Sequence, residues 1–177
     1  SAQVVAELKD AAMDALLAGG DAALGAARIP EYRILLRGPW NEWFDIVHRC
    51  ADAGLPIVAP FGIGTGETAR ERVGHLMRVR AVQERTGAAG HPAFRSLTVQ
   101  ALSPAVTDRE YLRMVALARL LVPNVPHVQV SLGKQGAGVA QAALSGGADV
   151  LVLDDPAVSA DAVIRGAGRV PALRAGW

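Results

Sequence analysis

The densest concentration of ligand-binding features in this 177-residue chain is the run Gly62-Ile63-Gly64-Thr65-Gly66-Glu67. Glycines let backbone N–H groups approach a ligand, and the helix N-terminus that follows favours anionic groups. The run fails as a dinucleotide fingerprint, because Glu67 stands where the third glycine belongs and Pro60 fits poorly in the strand before it. The Walker lysine is absent. A tight strand-to-helix turn accounts for the same residues. Glu67 would bind a ligand amino group, or favour the dipole of the helix it precedes. Lys134 stands out because arginine is otherwise the base of choice. Such a lysine forms a Schiff base or contacts a substrate carboxylate or phosphate; the plain alternative is a solvated loop lysine. Asp154 and Asp155 suit a hydroxyl, a metal or a ribose, or else cap the helix that Pro156 opens. His48, His75, His91 and His127 are scattered, with no metal-ligand spacing, and read as structural.

These residues acquire a common position once the elements are laid out. Residues 3–12 read as a helix, Met13 to Ala18 as a buried strand, and Trp40 to Ala51 as a helix with Gly54 just past its end. Pro56 to Phe61 reads as a strand. Thr68 and Glu71 have capping-box spacing for a helix that presents Val73, Leu76 and Met77 on one face and ends before Gly87. Arg95 to Ala101 alternates like a half-buried strand, and Thr107 to Glu110 repeats the capping box. Strands are expected again at His127–Ser131 and Asp149–Leu153, with helices at Gly138–Leu144 and Val158–Ala167. Five strands, each followed by a helix at about 35 residues per unit, predict a parallel α/β sheet in one domain. Pattern alone does not separate an open doubly wound sheet from part of a barrel. In either, ligands sit at the carboxyl ends of the strands. Asp21, Gly62 to Glu67, Gln100, Ser131, Lys134, Gln135 and Asp154 all fall there.

Composition bounds the function. Half the residues are hydrophobic and the net charge is +1, the reverse of a disordered chain. Eighteen basic residues against 17 acidic ones argue against nucleic acid as a partner. No apolar run has membrane-spanning length, so a cytoplasmic setting without membrane attachment is expected. The single Cys50 excludes a disulfide framework and any all-cysteine metal or cluster site. The chain opens at Ser1 inside a helical pattern, as a fragment would.

Several stretches together resemble one family. Leu8 to Asp14 followed by Gly19-Gly20 is similar to the "LKEAGLDSLPGGGAE" segment of radical S-adenosylmethionine enzymes of menaquinone (futalosine pathway) and deazaflavin biosynthesis. Asn41 to Leu55 resembles their "EEWLEVMRTAHRLGL", and Gly64 to Leu76 resembles "GHVETPEERVEHL". Tyr111 to Arg119 and Pro123 to Ser131 are similar to "YLRMIAVARL…NIPHIQSSW". Gln135 to Gln141 and Gly147 to Asp149 resemble "TQGPKVAQVALRFGANDFG". The set is collinear over nearly the whole chain, and is nearest to the dehypoxanthine futalosine cyclase and aminofutalosine synthase branches.

The resemblance implies a partial TIM barrel, about the last five (βα) units of eight. It also implies S-adenosylmethionine and a 4Fe–4S cluster, whose CxxxCxxC loop this chain lacks. In that frame Gly62, Gly64, Glu67 and Ser131 would bind the cofactor. Asp21, Gln100, Gln129, Gln135 and Asp154 would bind the small-molecule substrate, and Lys134 and Glu67 are the catalytic candidates. Departures gather at the strand ends: the family's glutamate falls at Ala22 with Asp21 one place early, and its "HVET" histidine is Thr65. Three readings compete: the carboxyl-terminal part of such an enzyme, a cluster-free homologue serving as a binding or partner subunit, and an ordinary α/β enzyme using Lys134. Five strands cut from a barrel would expose sheet edges, so a homo-oligomer or a covering partner chain is expected.

Overall fold

The computed structural model describes residue 7, residue 10, and residues 16–17, 47–55, 57–153 and 159–173. Five strands form one parallel sheet: β1 (Leu16–Leu17), β2 (Ile57–Ile63), β3 (Phe94–Ala101), β4 (His127–Ser131) and β5 (Val150–Val152). Their spatial order follows their sequence order, 1-2-3-4-5. Helices α1 (Ala69–Ala88), α2 (Asp108–Leu121), α3 (Leu132–Gln135), α4 (Ala137–Ser145) and α5 (Asp161–Gly166) follow the strands, and residues 47–52 are helical ahead of β2.

Strand register sorts the side chains into two faces, because neighbours along a strand point to opposite sides. Ala59, Phe61 and Ile63 pair with Leu97, Val99 and Ala101, and Leu97 pairs with Val128. Val130 pairs with Leu151. This outer face joins Leu76 and Val79 of α1, Tyr111, Val115 and Ala118 of α2, and Ala140 and Ala143 of α4 in a continuous apolar core. The inner face carries Val58, Pro60 and Gly62 beside Ser96, Thr98 and Gln100, then His127, Gln129 and Ser131, then Val150 and Val152. Val58 is buried yet lies outside the helix-side core. All the described helices that pack on the strands do so through the outer face.

Three expectations about helices need correction. The helix after Thr68 runs through Gly87 to Ala88, because the Ala89 N–H bonds back to the Arg85 carbonyl and no glycine is needed to stop it. Val73 and Met77 are exposed; the buried side of α1 is His75, Leu76, Val79, Val82, Gln83 and Thr86. The polar members of that side face inward because they bond to backbone. Gln83 accepts from the Phe94 N–H at 2.7 Å and donates to the Phe94 carbonyl at 2.9 Å, and the Thr86 hydroxyl accepts from the Ala93 N–H. Thr107 caps α2 through the Glu110 N–H, but the Glu110 carboxylate does not return to complete a box; it pairs with Arg72 instead. Thr68 and Glu71 do form the reciprocal box. None of the helices among the described residues is long and apolar enough to cross a membrane.

Candidate functional site

The β2–α1 loop is built around one carboxylate. Glu67 accepts from the Gly64 N–H (2.7 Å), the Thr65 N–H (2.7 Å) and the Thr65 hydroxyl (2.8 Å). Arg72, one turn into α1, adds a guanidinium contact at 2.8–2.9 Å, and its other arm reaches Glu110 of α2 at 2.6 Å. The Glu67 side chain is only 3% exposed. Burial pushes its carboxyl pKa up, but the hydrogen bonds from Gly64, Glu67 and Thr65 outweigh burial and hold it below the usual carboxylate range. Gly64 is needed at its place: φ is +99°, and a Cβ there would lie 2.5 Å from a Val106 methyl and 3.0 Å from the Ser103 Cβ. The β3–α2 loop is thus packed directly on the β2–α1 loop, and the Leu102 N–H extends the strand pairing to the Ile63 carbonyl at 2.8 Å.

Beneath these loops lies the inner face. Gly62 is directly across from Gln100, and Thr98 from Gln129. Gln129 is 3% exposed and donates to the hydroxyl of fully buried Ser96. Thr98 is 8% exposed. The Ser131 hydroxyl accepts from the Lys134 N–H at 3.0 Å and so caps α3, which places Lys134 and Gln135 on a single turn above β4. Lys134 is exposed and Gln135 half-buried. The fold thus brings Gly62, Gln100, Gln129 and Ser131 onto one face. Glu67 is turned into its own loop. Lys134 lies out in solvent, without the desolvated surroundings that activate a Schiff-base lysine. Asp21 and Asp154 lie outside the described residues. Sequence reasoning passed over Thr98, Ser96 and Arg72. The first two were signalled by polar residues at every second position through Ser96, Thr98 and Gln100, although Arg72 left no such signal.

The opposite rim of the sheet is occupied by structural pairing. Arg119 and His127 both contact Asp149, which also accepts from the Val128 N–H at 2.8 Å. His75 is buried, stacks on Phe61, and donates from Nε2 to the Pro60 carbonyl at 2.9 Å. Burial lowers its pKa to about 4. No group of three or more metal-ligating side chains occurs among the described residues. Cys50 is buried, which raises its pKa.

Residues 94–169 match the family model described as the CofH/MqnC C-terminal region. Cyclic dehypoxanthine futalosine synthase of Streptomyces coelicolor is 36% identical over 179 residues, covering 87% of this chain and 44% of that protein. Aminodeoxyfutalosine synthase of the same organism is 31% identical over 165 residues, covering 84% and 42%. The 5-amino-6-(D-ribitylamino)uracil–L-tyrosine 4-hydroxyphenyl transferase of Methanosphaerula palustris is 37% identical over 123 residues, covering 64% and 33%. The chain spans less than half the length of these three relatives. Over residues 94–169, from β3 to three residues past α5, it belongs to the CofH/MqnC C-terminal-region family.

Proposed function

We propose that this chain is the carboxyl-terminal substrate- and cofactor-binding part of a radical S-adenosylmethionine enzyme of the menaquinone and deazaflavin biosynthesis type, built as a partial TIM barrel. The observation that carries this reading is the sheet itself: five parallel strands in sequential order, outer face packed on helices and inner face carrying Ser96, Thr98, Gln100, Gln129 and Ser131 on its central strands. A doubly wound sheet reverses its strand order and carries helices on both faces, whereas a barrel does neither. The reaction class comes from the resemblance of the chain's motifs to radical S-adenosylmethionine enzymes, and the relatives it matches support it.

Within this reading each group has a task. Glu67, locked by Gly64, Thr65 and Arg72, shapes the β2–α1 loop so that the backbone at Gly62 and Gly64 lines the S-adenosylmethionine site. Ser131 fixes the turn that carries Lys134 and Gln135 at the rim. Gln100 and Gln129 face the substrate. Bound S-adenosylmethionine supplies radical chemistry after reductive cleavage, and these residues bind and orient. The 4Fe–4S cluster does not fit this chain: such clusters take several cysteine thiolates, and the one cysteine is buried in the helix-side core. Its ligands must come from residues beyond these 177. An additional copy or a partner chain would cover the sheet edges.

Saturable calorimetric binding of S-adenosylmethionine to the purified protein is expected. Absence of binding by protein with intact far-UV circular dichroism overturns the reading. The buried, solitary Cys50 favours one alternative, a cluster-free, inactive homologue acting as a small-molecule-binding or partner subunit. Iron at four per protomer in the protein's native assembly decides for the enzyme, and iron-free assemblies decide for the subunit.

A further inference from the structure

Glu110 belongs to α2, yet its carboxylate bonds to α1. Thr107 caps α2 by accepting from the Glu110 N–H at 3.2 Å. Glu110 therefore stands where a capping box would return its carboxylate to the cap, as Glu71 does to Thr68 on α1. Instead its Oε1 accepts from one arm of Arg72 at 2.6 Å. The other edge of Arg72 donates to Glu67 Oε1, from Nε at 2.9 Å and from a terminal nitrogen at 2.8 Å. That oxygen also accepts from the Gly64 N–H, while Oε2 takes the Thr65 N–H and hydroxyl. A guanidinium is a rigid plane, so holding two of its edges fixes where the whole fork sits. The series Glu110, Arg72, Glu67 thus runs from α2 to the backbone of the β2–α1 loop. Global stability does not account for the diverted carboxylate. The Glu110 side chain is 37% exposed, and an ion pair at that exposure contributes little to it. The consequence is local: without Glu110, one arm of Arg72 can turn to solvent, and the buried Glu67 loses a partner of fixed position.

We infer that Glu110 is a positioning residue for the ligand loop, acting through Arg72 and Glu67 to hold the backbone at Gly64 and Thr65. The inference rests on the proposed function for what the loop binds, and goes beyond it by making the loop's geometry depend on a residue of α2. Amide hydrogen exchange and calorimetric titration of S-adenosylmethionine, both on the protein in its native assembly, test it. Glu110→Ala is expected to speed exchange at the Gly64 and Thr65 amides about threefold to fivefold, the scale of a half-exposed ion pair, and to weaken S-adenosylmethionine by a similar factor. The amides of buried Leu97 and Val99 in β3 should be unchanged. Glu110→Gln, which keeps an acceptor for Arg72, should restore most of the protection. In an Arg72→Met background, which keeps the apolar stem and removes the link, Glu110→Ala should add nothing to either measurement. Where Arg72→Met lowers the folded fraction, Arg72→Lys, whose single ammonium lacks the planar fork, serves as the background. Unchanged exchange at Gly64 and Thr65, uniformly faster exchange with a lower urea midpoint, or additive losses in the double variant overturns the inference. So does an unchanged affinity in Glu110→Ala where the wild type binds S-adenosylmethionine. Faster exchange confined to Gly64 and Thr65, in a protein whose wild type binds no S-adenosylmethionine, overturns the proposed function and leaves Glu110 as the residue that positions the loop.

Discussion

Glu67 has both carboxylate oxygens occupied, by two backbone N–H groups and a hydroxyl from its own loop and by the Arg72 guanidinium. A glutamine there keeps one acceptor and turns an amide donor toward groups that are themselves donors. Glu67→Gln is therefore expected to destabilise the protein by about 2 kcal/mol, seen as a lower urea midpoint, the usual cost of a buried hydrogen-bonded charge lost. His75 makes a second prediction at this scale. Its folded pKa is about 4, against about 6.5 for a free imidazole. The unfolded chain binds the proton first, so stability is full above pH 6.5 and falls as the pH drops toward 4, by about 3 kcal/mol in all. Urea unfolding between pH 7 and 4.5 measures this slope, and His75→Phe, which keeps a ring on Phe61, should flatten it. A variant with the wild-type slope would rule out His75 as its source. Glu67 contributes in a lower window, its stabilisation fading only as the pH falls from its unfolded value through its depressed folded one.

At the scale of the element, loops and helix faces are set by single contacts. Gly64 combines a positive φ with a packed neighbour, so Gly64→Ala should cost several kcal/mol. Adding Val106→Ala should recover only the part due to the 2.5 Å clash, leaving the roughly 1 kcal/mol of backbone strain. Additive losses in the double variant would show that the two loops do not press on each other. On α1, the Gln83 carboxamide serves as a substitute strand neighbour for Phe94. Gln83→Leu should cost about 2–3 kcal/mol and speed hydrogen exchange at the Phe94 amide, because two buried backbone groups lose partners. Apolar periodicity had placed Val73 and Met77 on the buried side of this helix. The pattern misled because a buried glutamine and threonine with backbone partners read, in a sequence, like surface residues. The capping box at Thr68 was legible because its bonds are local. The same spacing at Thr107 misled, since the Glu110 carboxylate pairs with Arg72, 38 residues away, and leaves the box half made.

For the whole molecule, the sheet among the described residues is bordered by β1 and β5. An open parallel sheet has two edges whose backbone groups need covering, which is the basis for expecting an assembly. Light scattering is expected to give a mass of at least two chains, or of one chain plus a partner. A monodisperse single chain would remove the need for the covering partner.

The order of the strands, the longer helices between them, the near-neutral charge balance and the family were written in the sequence, whereas the one-turn helix Leu132–Gln135 was not. Each depends on residue type and near-neighbour spacing, and β3 and β4 were bounded to within one residue on that basis. Tertiary structure alone decided what the strand-end residues do. Glu67 came forward as a candidate ligand group, but distances place its carboxylate on Gly64, Thr65 and Arg72. Thr98 drew no attention in the sequence, yet it lies nearly buried on the inner face, directly across from Gln129. Which polar groups are spent on the fold and which remain for a ligand depends on partners brought together across strands. That pairing is a property of the register, and no spacing along the chain records it.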